Sequence, residues 1–186
     1  MPTCVEKEPM DVFSTELGYI AFALRGDALA AVAFGHRSAA AARRAVRLNL
    51  PSCFAEGDLD DWPAGDQAVQ AALADRLTRL AQGEPVGFDD FRVDRSGLTR
   101  FQQQVCQACR AIPWGETRTY GELAQAVGRP GAARAVGRVM ATNRAPLVVP
   151  CHRVLPAGGG LGGFSAPQGV AMKRRLLALE QAAVVG

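Results

Sequence analysis

Histidine is scarce in this chain, with two residues in 186, and tryptophan and tyrosine also number two each. No apolar run approaches the roughly 20 residues that a helix needs to cross a bilayer, so no membrane role is expected. Met1 to Glu8 carries acids and lacks the apolar core of a secretory leader, which makes a cytoplasmic setting the expectation. Cysteines are few and irregular, at positions 4, 53, 106, 109 and 151. An odd, unevenly spaced set does not make a disulfide framework and fits a reducing compartment. A structural zinc takes about four ligands, and Cys4, His36 and Cys53 are too scattered to supply them. The single CxxC, Cys106 to Cys109, falls inside a helical pattern and has no second pair to match it. Packing is the expectation there, and no metal or other cofactor is expected.

Acids are nearly missing from the second half. Residues 98–186 hold 11 Lys+Arg against three acids (Glu116, Glu122 and Glu180), whereas residues 1–97 hold 10 against 15. A basic half of this kind is the footprint of a polyanion-binding surface or of a solvated basic face. Charge alone leaves both open.

What the chain does have is Val148-Val149-Pro150-Cys151-His152-Arg153-Val154. A thiol attacks as thiolate, and a free pKa of about 8.5 leaves little thiolate at neutral pH. An imidazole beside it can take the proton directly or through one water, and the cationic Arg153 favours the anion. Neighbours in an extended segment point to opposite faces, so a bridging water is expected between Cys151 and His152. Glu180, in Leu176-Leu177-Ala178-Leu179-Glu180, is the best group to orient the histidine. A lone cysteine after a strand is more often a buried cap. The whole heptapeptide and its setting reverse that preference.

In chain order, residues 17–36 form a hairpin pattern around Arg25-Gly26-Asp27. Ser38 opens an alanine- and arginine-rich helix to Leu48, and a loop with Pro51, Gly57 and Pro63 follows. A helix around 69–80 carries Val69, Leu73, Leu77 and Leu80 on one stripe, and 88–93 reads as a short strand. The fold class is therefore two-domain α/β (α+β): a small N-terminal α+β domain with an antiparallel sheet over 1–97, and a mostly helical domain over 98–186. His36 reads as a surface or capping residue. In the second half, Thr99-Arg100-Phe101-Gln102 and Thr119-Tyr120-Gly121-Glu122 are capping boxes. The short helix after the second is followed by Gly128-Arg129-Pro130-Gly131 and a helix over 132–141, a helix-turn-helix pattern.

The second of these helices is surfaced with Ala132, Ala133, Ala135 and Gly137, around Arg134. A major-groove reader needs long polar side chains at base edges, whereas a small-residue face suits close approach to a minor groove. Arg134 can push into the duplex or fill a vacated base site. The expected binding is phosphate-driven and nearly blind to sequence, although such helices also pack in cores. Pro156 to Pro167 is a glycine-rich loop without the Lys-Ser/Thr of a phosphate loop, suited to closing over a flat ring with Phe164 and Ser165 as contacts. The last helix, from Val170, is expected to carry Lys173, Arg174 and Arg175 outward and to bring Glu180 towards His152.

These residues closely resemble the O6-alkylguanine–DNA alkyltransferase family, the methylated-DNA–protein-cysteine methyltransferases. The resemblance lies in Pro150-Cys151-His152-Arg153-Val154, Ile112-Pro113-x-Gly115, Thr119-Tyr120-Gly121-Glu122-Leu123-Ala124, Arg134-Ala135-Val136-Gly137, Asn143 and Leu176 to Glu180, in that family's order over 98–182. Residues 1–97 are similar to its variable N-terminal domain in size and element order only. The resemblance implies single-turnover transfer of the alkyl group from O6 of a flipped-out guanine, and from O4-alkylthymine, to Cys151. His152 is then the water-bridged base, Glu180 its orienter, and Asn143 the holder of the active-site turn. Tyr120 acts near the 3′ phosphate and on N3 of the leaving guanine, and Arg134 fills the gap in the stack. Ser165 and the backbone at Val154 bond the base, with Met140, Pro146 and Phe164 as apolar walls. The implied partner is double-stranded DNA with alkylated bases, bound by a monomer at the nucleoid, or in the nucleus if the source is eukaryotic. Phe164 stands where the family often has Tyr, the Cys151–Glu180 stretch is slightly longer than usual, and the zinc ligands of some members are not reproduced. A Cys-His hydrolase would need a distant histidine, a lesion binder would lack Cys151, and a helix-turn-helix regulator would need base-reading side chains.

Overall fold

The computed structural model describes residues 10–50 and 65–185, with side chains to Gln181. Cys4, Cys53 and the loop with Pro51, Gly57 and Pro63 lie outside the described residues. The chain opens with three antiparallel strands, β1 (Met10–Thr15), β2 (Gly18–Arg25) and β3 (Ala28–His36). The hairpin expected over 17–36 is β2 and β3, while β1 ahead of it was not read from the sequence. Only Arg92–Val93 of the expected 88–93 strand pairs, as β4, parallel to Ala28 and Leu29.

Alternation along the strands sorts the two faces of this sheet. Ala21, Ala23, Ala31 and Ala33 face helix α1 (Ala39–Asn49), whose Ala42 and Val46 are buried against them. Small residues on both partners allow close packing and leave the arginines of α1 on its outer side. Ser38 caps α1 by accepting the Ala41 N–H at 3.2 Å. The opposite face, with Ile20, Phe22, Val32 and Phe34, packs on α2 (Gln67–Ala81) through Leu73, Leu77 and Leu80.

That second face belongs to an apolar cluster running on into α3 (Arg100–Arg110), α4 (Tyr120–Ala126), α5 (Ala133–Ala141) and α6 (Val170–Val185). Val105 and Cys109 of α3 are buried in it and Cys106 lies at its edge, the packing positions expected of the CxxC. Thr99 and Thr119 cap α3 and α4 with complete capping boxes. Gly128 and Gly131, at φ of +70° and +89°, turn the chain between α4 and α5. Arg118–Thr119 and Val154–Leu155 pair in parallel as β5 and β6, tying the start of α4 to the segment after the cysteine. The amide of Val32 in β3 donates to the Arg144 carbonyl at 2.8 Å, so the sheet also holds the segment before the cysteine.

Candidate active site

The chain from Thr142 to Val154 is a tight turn braced by one side chain. Asn143 Nδ2 donates to the Val149 carbonyl at 2.8 Å, and Asn143 Oδ1 accepts the Ala145 N–H at 3.0 Å. Leu147 sits at φ 74°, a left-handed backbone that a branched side chain adopts at a cost of about 1–3 kcal/mol. The asparagine's two bonds span this residue and hold it. Cys151 to Arg153 then form one turn of 3-10 helix instead of the extended segment expected, so the face-alternation argument for Cys151 and His152 does not apply.

His152 is fully buried and its Nε2 lies 2.6 Å from Glu180 Oε1. An ionised Glu180 keeps the ring proton on Nε2, which leaves the Nδ1 lone pair free. Nδ1 is buried with no hydrogen-bond partner among the described residues. Burial pushes the imidazole below its ordinary pKa, against the pull of Glu180, so the ring is neutral at pH 7. Burial pushes the Glu180 carboxyl up, but hydrogen bonds from His152 and Arg153 outweigh it and the net shift is downward.

Glu180 is a hub. Arg153 Nε reaches both its oxygens at 3.1 and 3.0 Å, Arg153 Nη2 reaches Oε1 at 3.0 Å, and the Gly115 amide donates to Oε2 at 3.1 Å. Arg153 Nη1 bonds the Ile112 carbonyl at 2.6 Å, its guanidinium lies 5.6 Å from the Trp114 ring centroid, and Trp114 Nε1 donates to the Glu180 carbonyl. The motifs at 112–115, 151–154 and 176–180 thus meet in one buried network. Arg153 is spent on Glu180, and the cation that favours the Cys151 thiolate is Lys173. Burial raises the Cys151 thiol above its ordinary pKa, while Asn143 and Lys173 draw it back down. Lys173 corrects the expectation that it points outward: it is fully buried, and its Nζ donates to the Val154 carbonyl at 2.7 Å.

Two cavities meet at Cys151, Met140, Ala141, Phe164 and Ser165. One, of 360 Å³, opens beneath the helix-turn-helix between Tyr120 and Gly137. The other, of 560 Å³, adds Pro146 and, from the first half of the chain, Phe34, His36 and Leu48. Phe34 meets Phe164 edge-on at 6.2 Å between centroids, so β3 steadies the loop that covers the thiol. Burial holds the Tyr120 phenol above its ordinary pKa, with the Cys151 thiolate adding to the effect. Val154 is fully buried outside both cavities, with its carbonyl on Lys173 and its amide on Cys151. Ser165 Oγ donates to the Ala141 carbonyl at 3.2 Å. On α5, Arg134 is exposed and Ala132, Ala133, Ala135 and Gly137 are half-buried, with Val136, Val139 and Met140 turned inward. Lys173, Trp114 and the Phe34–His36–Leu48 wall were missed in the sequence. Lys173 shares a helical face with Glu180 at i+7, a spacing that could have found it.

A thiol with a neutral, carboxylate-oriented imidazole beside it, in a cavity under a helix-turn-helix, defines a DNA-binding protein with a cysteine nucleophile. Residues 100–182 match the family model for the DNA-binding domain of 6-O-methylguanine DNA methyltransferase. A methylated-DNA–protein-cysteine methyltransferase of Mycobacterium bovis is 45% identical over 120 residues, which is 64% of this chain and 70% of that protein. One from Methanosarcina acetivorans is 42% identical over 123 residues, 65% of this chain and 74% of that protein. The crystal structure of Mycobacterium tuberculosis OGT in complex with DNA superposes with a TM-score of 0.70 at 33% identity, covering 94% of this chain and 93% of that one. The chain belongs to the methylated-DNA–protein-cysteine methyltransferase family.

Proposed function

We propose that this protein repairs DNA by transferring the alkyl group of an O6-alkylguanine, and of O4-alkylthymine, to its own Cys151 in a single turnover. The observation that carries this reading is the buried Cys151–His152–Glu180 arrangement at the junction of two cavities beneath α4 and α5. The Cys151 proton passes to His152 Nδ1, directly or through one water, and the imidazolium formed is stabilised by Glu180. The thiolate sulfur attacks the alkyl carbon, a carbon–sulfur bond forms, and the bond from that carbon to O6 breaks. The departing guanine anion takes a proton at N3 from Tyr120, whose raised pKa keeps the phenol protonated until then. The thioether is not hydrolysed, so the protein acts once.

A base inside the duplex cannot reach a buried thiol, so the nucleotide must flip out. In this reading the small face of α5 (Ala132, Ala133, Ala135 and Gly137) lies in the minor groove and Arg134 fills the vacated stack. Met140, Pro146, Phe164 and Ser165 surround the base, whereas the Val154 backbone, taken up by Lys173 and Cys151 outside both cavities, does not bond it, and Asn143 keeps the turn at Cys151 in place. Residues 1–97 and 98–186 are the two domains, and the protein acts as a monomer on double-stranded DNA at the nucleoid, with little regard to sequence. Intact mass after incubation with a duplex holding one O6-methylguanine tests the chemistry. One methyl's gain, mapped to Cys151 and absent in Cys151→Ala, is the expected result. Lesion-selective binding without a mass change would leave only a binder.

A further inference from the structure

We propose that helix α1 is a second DNA-contacting element, on which Arg44 and Arg47, with Arg37 just before the helix, hold the sugar–phosphate backbone of the DNA that delivers its base to Cys151. This rests on the alkyl-transfer reading above. Between Asp27 and Glu56 the sequence runs 28 residues without an acid and places four arginines there, at 37, 43, 44 and 47. The cluster runs against the charge of its own half of the chain, which holds 10 basic residues to 15 acids. Arg37, Arg44 and Arg47 are exposed and form no ion pair among the described residues. Guanidiniums crowded on one helix repel each other unless an anion sits between them, and their planar forks match phosphate oxygens.

Position decides the partner. Helix α1 buries Ala42 and Val46 in the sheet and turns Ala45, Leu48 and Asn49 to the 560 Å³ cavity that contains Cys151. Arg44 lies one helical turn before Leu48 and borders the rim of the space where the thiol reacts, and Arg47, about 100° round the helix from Leu48, joins Arg44 from the outer face at i+3. Leu48, at 75% exposure, stands among them as an apolar contact suited to a deoxyribose face. On the other side of Cys151 the second cavity opens under Tyr120 and Gly137. A strand whose base enters this space is then gripped from both sides, by α5 and by α1. Such a grip adds affinity without base reading, as phosphate contacts do.

The test compares the parent with Arg44→Ala/Arg47→Ala and with Arg44→Glu/Arg47→Glu. Binding to an O6-methylguanine duplex is measured across a salt series, and transfer rates are measured for that duplex and for free O6-benzylguanine, which has no phosphate. The double alanine variant is expected to flatten the plot of log K against log salt by ~2, at about 0.9 per phosphate contact. Its transfer from duplex at low salt falls roughly tenfold, the glutamate variant loses more, and both keep the parent's rate on the free base. An unchanged salt slope and duplex rate would overturn the proposal. So would an equal loss on both substrates, which would make α1 a wall of the cavity and nothing more. A parent that transfers from neither substrate refutes the underlying reading, and this proposal with it.

Discussion

Lys173 decides how the thiol is activated. Its ammonium is buried, bonded to the Val154 carbonyl, and electrostatically coupled to Cys151. Burial lowers its own pKa, while the thiolate raises it, so the two charges support each other. Replacement by methionine keeps most of the volume and removes the charge. Lys173→Met is expected to raise the Cys151 pKa further and to slow transfer roughly tenfold at neutral pH. The check is the pH profile of transfer: a shifted curve that recovers at high pH marks an electrostatic role, whereas a uniform loss would mark a packing one. The Cys-His pair and Glu180 were legible in the sequence because adjacency and motif order point to them. Lys173 was not, because the run Lys173-Arg174-Arg175 places one buried and two exposed cations side by side, and composition does not tell them apart. Arg153 was legible as a cation, but its partner is the carboxylate 27 positions away in the chain.

Helices α4 and α5 differ at their starts. Thr119 and Glu122 satisfy the first amides of α4, whereas α5 begins at Ala132 with no side-chain cap. Its first amides are therefore left to water or to an anion, and a phosphate at that end would be favoured by the helix dipole. Ala132→Asp places a carboxylate at the positive end of the helix dipole and is expected to add about 0.5 kcal/mol of stability. The same carboxylate repels a phosphate, so duplex binding should weaken while thermal stability rises. A variant that gains on both counts would show that this end does not meet DNA. The elements themselves were readable wherever a cap or a 3.6-residue stripe stands out, as in α2, α3 and α4. β1 carries no such mark, since Asp11 and Ser14 interrupt its apolar residues, and it exists through pairing with β2. The 3-10 turn at Cys151 was hidden for a similar reason. It goes with Asn143 bracing a left-handed Leu147 through side-chain bonds two and six residues along the chain, a specific geometry that single-residue propensity does not contain.

Across the whole molecule, the network around Glu180 ties catalysis to stability. It joins α6, the turn after α3 and the active-site turn, while β3 supports the same region through Arg144 and Phe164. Glu180→Ala leaves Arg153 charged and His152 unpaired in the interior, at a cost of roughly 3–5 kcal/mol. Protonation does part of the same damage reversibly. His152 has a folded pKa below the ordinary value of about 6.5, so on acidification the unfolded chain takes up this proton first and stability falls from that pH downward. Glu180 is also shifted down, from an ordinary value of about 4.3, so its contribution is complete above that pH and is lost as the pH drops towards the folded value. Urea unfolding followed by tryptophan fluorescence is therefore expected to show stability falling in two acid stages, one below each ordinary value. His152→Gln should shrink the upper stage to the part left by His36, whose pKa burial also lowers, and leave the lower stage unchanged. Since protonated His152 cannot accept the thiol proton, transfer must fall with the folded, lower pKa and so lag behind the first loss of stability. Rate and stability falling together at the upper stage would instead place the titrating group elsewhere in the chain.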